Sequence, residues 1–434
     1  MIIKGALVWN GREFVQKDLF VENGEFVEKA NEPVIDAKGY FLVPGFVDSH
    51  AHVVGTGFSK LSVQFNDWDE LFERDLTSEV VVGRGWFEEP DGSVVERLDR
   101  IEAPVFLIRR CGHKAFLNKK AMEVLGVEER YLVENLEKIY EYVFKEKIAE
   151  FYRVGEEEFL KHGVTFVQSD DLYGVSVERL LSIIKHSRIR LFEKLKPKDL
   201  KPEHFGDLNK RVHVKGVKVF MDGSLGAKTA LISGEYDDGT QGVQLLTEEK
   251  LEELARFCDE HDLILNVHAI GDSAVSLVLD VLERHRGHRI IHAQFVQEKD
   301  LQRVKNTTFS VQPHFFFEDQ PLLKKVKVNA LHYPFYRMFK AGVSISFSSD
   351  SPVSPCDPKY IAEHALKMGF SREETFYLMT EAGASQVGIK TGKIEAGYRA
   401  DFCLYERNPL LFEDDPIAVF VEGEKIYEKN GSSH

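Results

Sequence analysis

Pro44-Gly45-Phe46-Val47-Asp48-Ser49-His50-Ala51-His52 is the segment from which the architecture can be read. It passes a Pro-Gly break, continues as an apolar run and ends in His-x-His. Side chains two residues apart point the same way in extended backbone, so His50 and His52 can enter one space and grip one ion. Two polar residues at a strand exit are the plainer reading of the same motif. Three later apolar runs stop on similar residues: Leu265-Asn266-Val267-His268, Ile290-Ile291-His292 and Ser346-Phe347-Ser348-Ser349-Asp350. Imidazoles and carboxylates at successive strand ends are what a parallel barrel gathers at its C-terminal rim. As an N/O ligand set they suit Zn²⁺ or a related divalent cation.

Outward from these runs, β-rich segments alternate with helical patterns, which predicts parallel βα units. Candidate buried strands are Phe41–Val47, Val105–Ile108, Val164–Gln168, Ile189–Phe192, Val217–Met221, Leu263–Val267, Ile290–His292, Phe309–Gln312 and Val343–Phe347. A (β/α)₈ barrel needs one fewer. Val105–Ile108 is the odd one out, because it lies in a polar stretch over 55–155 that is far longer than the later connections. That stretch reads as a subdomain inserted after the first barrel strand, and on the catalytic face it would serve as a lid or substrate wall. Thr247 is expected to cap a helix with Leu251, Leu254, Ala255 and Cys258 on one face, and Ser371 with Glu374 forms a capping box.

Both chain ends are β-rich. Asp18–Glu28 alternates around Asn23-Gly24, and Ala418–Tyr427 turns at Glu422-Gly423; both predict hairpins. The expected fold is therefore α/β: a barrel over 44–388, and a small β-sandwich built from 1–43 and 389–434.

The composition fits a globular enzyme. The chain has 434 residues and a formal net charge of −15, with no Lys/Arg cluster, which argues against nucleic acid as a partner. No apolar run approaches the ~18 residues of a membrane span, and the N-terminus carries no secretory pattern. The cysteines, Cys111, Cys258, Cys356 and Cys403, are scattered without a CxxC. A cytoplasmic enzyme acting on a small molecule, with neither membrane nor nucleic-acid partners, is the expectation.

Gly216-Val217-Lys218-Val219-Phe220-Met221-Asp222 adds a lysine facing the barrel interior, if Val217 and Val219 face the helices. An ammonium there is costly to desolvate unless paired or neutralised. Pairing with Asp222 or Asp350 is one solution. Loss of the proton and reaction with CO₂, giving an anionic two-oxygen carbamate, is another.

PGFVDSHAH, RRCGH, GVTFVQ, VKVFMDGSLGAKTA, VHAIGDSAV, SSDSPV and TGKIEAGYRADFCLY, in this order, resemble the amidohydrolase superfamily, and within it the branch of the N-substituted formamide deformylases. The resemblance implies a barrel with a composite β-sandwich and one or two divalent ions, zinc foremost. It implies that His50 and His52 bind one metal and His268 and His292 a second. Lys218 would be the carboxylated bridging lysine, and Asp350 both a ligand and the catalytic proton carrier. A homodimer is also implied.

His113 matches a family Gly-His near the substrate, and a structural surface histidine is the other reading. Asp222 is open between a helix cap, a partner for Lys218 and a substrate contact. His314 can line the pocket or pack with its phenylalanines. Asp272 is expected to orient a ligand or cap a helix, and Trp86 to fill the core of the insertion.

The chemistry expected is attack of metal-activated water on an amide-like C–N bond, with Asp350 moving the proton. Esters, lactones, phosphoesters and heterocycle deamination need the same hydroxide and stay open, as does a scaffold that has lost catalysis. No GxSxG elbow competes.

Overall fold

The computed structural model describes residues 1–31, 33–86, 88–109, 114–133, 136–171, 174–199, 201–303 and 307–429. The chain divides into two compact units, one comprising 1–52, 156–170 and 184–434, the other 53–155 and 171–183.

The first unit holds eight parallel strands, numbered here β1 Phe46–Ala51, β2 Val164–Ser169, β3 Arg190–Leu195, β4 Val212–Phe220, β5 Ile264–Ala269, β6 Arg289–His292, β7 Thr308–Val311 and β8 Ile345–Phe347. They are hydrogen-bonded in chain order, each to the next, in an almost closed barrel. The run expected as one strand over Phe41–Val47 is two: Phe41–Pro44 belongs to the terminal sheet and β1 starts after Gly45. A Cβ on Gly45 would lie 2.1 Å from Thr165 Oγ1, so the chain passes β2 there without room for a side chain.

Among the described residues no ladder joins β8 to β1; other bonds close this seam. At the rim, Asp350 N donates to the His50 carbonyl at 2.9 Å and His52 N to the Ser351 carbonyl at 2.8 Å. Below, Ser49 Oγ donates to the Phe347 carbonyl at 2.9 Å, and the buried Asp48 carboxylate accepts from Ser349 N at 3.1 Å. A short helix, Glu381–Ser385, sits against the seam, where a Cβ on Gly383 would come within 3.0 Å of Val47 Cγ1.

Strands from the two chain ends form one eight-stranded sheet. Phe41–Pro44 and Phe402–Tyr405 pair antiparallel and join the halves, and Ile3, Val8, Val21, Phe26, Phe402 and Phe420 share a core. The hairpins form as expected. Asn23 and Gly24 have φ of 54° and 84°, Glu422 and Gly423 of 53° and 74°, the left-handed values such tight turns require. Thr247 caps the helix Glu248–Glu260, and the Ser371–Glu374 capping box is formed.

The second unit carries its own five-stranded sheet, in which Val105–Ile108 is the central strand. Trp86 is wholly buried in the core of this unit with Phe65, Leu71, Leu98 and Phe116, and donates from Nε1 to the Leu107 carbonyl at 3.0 Å. Helix Val53–Leu61 and the 25-residue helix Glu137–Lys161 approach closely through two glycines. A Cβ on Gly155 would fall 1.9 Å from the Val53 carbonyl oxygen, and one on Gly57 1.7 Å from that of Phe151.

Candidate metal centre

The ends of the barrel strands bring six of the predicted residues to the lining of one cavity of about 340 Å³: His50, His52, Lys218, His268, His292 and Asp350. β1 delivers His50, with His52 just beyond it; β4 delivers Lys218, β5 His268 and β6 His292, while Asp350 follows β8. His292 and Asp350 have φ of 82° and 56°. Left-handed backbone is costly for residues with a Cβ, and the surrounding hydrogen bonds hold it in place.

Two imidazole–carboxylate groups, His50/His52/Asp170 and His50/His292/Asp350, have ligand atoms within 4.8 Å of one another. Asp350 Oδ1 lies 3.2 Å from His50 Nε2 and 3.5 Å from His52 Nε2, and Asp170 Oδ1 lies 2.9 Å from His52 Nδ1. Gln312 fixes His292. Its amide nitrogen donates to Ser348 Oγ at 2.8 Å, so its oxygen is the atom 2.9 Å from His292 Nδ1. His292 then carries its proton on Nδ1 and presents an Nε2 lone pair, the state a metal ligand needs.

Burial pushes the pKa of His50 and His292 well down. The neighbouring lysines add to the effect at His50, as do His268 and Lys218 at His292. His268 falls to about 3, again chiefly by burial. At His52 burial also lowers the pKa, but Asp170 and Asp350 outweigh it and raise it to about 10. Desolvation would lift Asp170, yet His52, Lys218 and Lys194 hold it far below the ordinary carboxylate range. Buried imidazoles held neutral beside two ionisable carboxylates suit a divalent cation, which would replace the proton that His52 otherwise retains. The donor set fits such an ion.

Other expectations need correction. Lys218 is buried as predicted, but its Nζ lies 3.8 Å from Asp170 and 3.4 Å from His50 Nε2, so its acidic neighbour is Asp170 in place of Asp222 or Asp350. Asp222, open between a helix cap, a partner for Lys218 and a substrate contact, is wholly buried. Its oxygens accept the backbone N–H groups of Leu231, Ile270 and Gly271 at 2.8–3.0 Å, which ties two rim loops together. Burial moves its pKa up to about 7 against those three donors. The His268 ring stands 4.6 Å from that of His292, but its Nε2 is 2.9 Å from the Gly223 carbonyl, so a ligand role requires release of that bond. His113 lies outside the described residues. His314 is buried, with Nε2 3.2 Å from the Ser349 carbonyl, and Asp272 accepts from Ser233 and Gln297 beside the start of its helix.

Two residues were missed. Asp170 follows β2 as Asp350 follows β8. Lys194 on β3 is fully buried, 3.0 Å from His50 Nδ1 and 2.6 Å from the Gln168 carbonyl. The alternation that singled out Lys218 would also have found Lys194, two residues beyond the inward Phe192.

Comparison with known proteins shows the family. The sequence is 26% identical over 488 residues to the putative amidohydrolase YtcJ of Bacillus subtilis, covering 91% of this chain and 90% of that one. It is 25% identical over 239 residues to the N-substituted formamide deformylase of Arthrobacter pascens, covering 44% and 41%. The structure superposes with TM-score 0.83 on an uncharacterized metal-dependent hydrolase from Pyrococcus furiosus, 27% identical and covering 94% of this chain and 99% of that one. With the profile of the amidohydrolase family matching residues 33–427, the chain belongs to that family.

Proposed function

We propose that this chain hydrolyses a C–N bond of a small molecule, an N-acyl, N-formyl or cyclic amide, with water activated by a divalent cation such as zinc. The observation that carries this reading is the pair of imidazole–carboxylate groups sharing His50, of which His50, His52, His292 and Asp350 line one pocket. His50, His52, His292 and Asp350 would hold the ion, and a carbamate on Lys218 would add an anionic ligand. A bound ion of this kind lowers the pKa of water from ~15.7 towards ~7 and polarises a carbonyl.

The rest falls to the protein. Asp170 orients His52, and Gln312 orients His292. Asp350, facing the cavity, takes the proton of the attacking water and passes it to the departing nitrogen, so no covalent enzyme intermediate is required. The similarity to an N-substituted formamide deformylase supports an amide over an ester.

The test is a hydrolysis screen of N-formyl and N-acyl amines, cyclic amides, lactones and phosphoesters, with zinc, manganese, nickel or cobalt added. Release of amine from the amides is expected. Turnover confined to lactones or phosphoesters would overturn the C–N assignment. Asp350→Asn is expected to keep most of its metal while kcat falls by about 10³-fold. Near-normal kcat in that variant removes Asp350 from the mechanism.

A further inference from the structure

The cavity has a second chemical character besides its imidazoles. Phe220, Phe315 and Val353 give it apolar walls, and Phe220 and Val353 leave 42% and 66% of their surface open. Away from the candidate metal centre, the charged side chains on its lining are Glu318 and Asp319. Both are oriented by hydroxyls. Glu318 accepts from Ser354 Oγ at 2.9 Å and from the Tyr360 hydroxyl at 2.7 Å, and Asp319 accepts from the Tyr333 hydroxyl. Such donors fix a carboxylate without neutralising it, and among the described residues neither forms an ion pair with lysine, arginine or histidine. Burial pushes the Asp319 carboxyl above its ordinary range against the Tyr333 bond, and the Glu318 charge adds to the rise. A cation on the cavity side would relieve both effects.

Gln294 is an independent sign of a missing ligand. It lines the same cavity, is 3% exposed, and its Oε1 has no hydrogen-bond partner. An unused buried acceptor costs roughly 1–3 kcal/mol, a cost that a ligand N–H would remove.

We propose that this pocket selects substrates bearing a cationic nitrogen, an ammonium or amidinium held by Glu318 and Asp319 with Gln294 as a further polar partner, while an apolar body lies on Phe220, Phe315 and Val353. This names the substrate class of the hydrolytic reading above and rests on it. The volume of about 340 Å³ suits a small molecule. An anionic substrate would meet two like charges at the wall and be rejected.

The test titrates the full-length protein calorimetrically with two matched ligands: an N-acylated aralkyl diamine whose second amine is a free ammonium, and its isostere with a methyl group in that place. The cation is expected to bind about ten-fold tighter, with the preference shrinking as salt rises. Asp319→Asn is expected to remove most of the preference, and Glu318→Gln part of it. Equal affinity for the pair in the unmodified protein, or an unchanged preference in both variants, overturns the proposal. Turnover of the same pair in metal-supplemented protein is measured separately. Cation-selective binding with cleavage of neither ligand supports the cation site and counts against the hydrolytic reading, whereas cleavage of both at equal kcat/KM overturns the cation site.

Discussion

His52 meets a carboxylate at each ring nitrogen, Asp170 at Nδ1 and Asp350 near Nε2. The two carboxylates are not equivalent: Asp350 faces the cavity, whereas Asp170 is buried behind the ring. Asp170→Asn would leave a group of the same shape but remove the charge that makes His52 basic. Affinity for zinc is expected to fall about 10–100-fold, measured by competition with a chromophoric chelator. Unchanged affinity would show that Asp170 does not support the centre. At this scale the sequence was informative wherever a strand kept its alternation to the end, which is why His50, Lys218, His268 and His292 could be found. It was less so past the end of β2, where Ser169-Asp170-Asp171 leaves regular pairing and periodicity no longer says which aspartate turns inward. Asp171 instead accepts the backbone N–H of Val54 at 2.8 Å. Asp222 stayed open for a related reason. A carboxylate after a barrel strand looks like chemistry, and the three amides that consume it come from loops on either side of another strand.

Among the elements, the hairpins and capped helices were legible because each has a local cause: a left-handed turn, or a hydroxyl above the first helical turn. The division of Phe41–Val47 was not, since a run of apolar residues does not reveal that its halves join different sheets. Helix–helix proximity is equally silent in sequence, and the Gly57–Gly155 approach emerges only from the packing. Gly155→Ala would drive a methyl group into the Val53 carbonyl, and backbone cannot move aside as a flexible side chain can. A loss of about 2–3 kcal/mol is expected, read as a lower urea midpoint. Gly92→Ala is the matched control, because a Cβ there meets nothing within 4 Å at the start of the helix Gly92–Asp99, and stability should hold or rise slightly. Equal midpoints for the two variants would show that the two helices can separate without cost.

Within the larger unit, His162 ties distant parts of the chain together. Its Nδ1 lies 2.8 Å from Asp415, its Nε2 is 3.3 Å from Glu158, and Lys359 also reaches Asp415. Burial lowers the His162 pKa, but these carboxylates overcome it and raise it to about 9. A folded-state pKa above the unfolded value of about 6.5 means stabilisation that is complete below pH 6.5 and fades as pH climbs through about 9. The midpoint difference between the protein and His162→Gln should therefore be largest near pH 6 and narrow by pH 9.5, measured by urea unfolding. A difference independent of pH would assign His162 to packing alone.

The seam between β8 and β1 has a final consequence. Among the described residues the cylinder is joined by ladders on all sides but one, which gives it a preferred place to part, and that place runs between His50 and Asp350. Partial opening on warming would begin by drawing these two groups apart, long before the helices around the barrel melt. Heat would thus silence the enzyme in a reversible step while its circular dichroism still read as native, and the ceiling on its working temperature would be set by a few bonds along one suture.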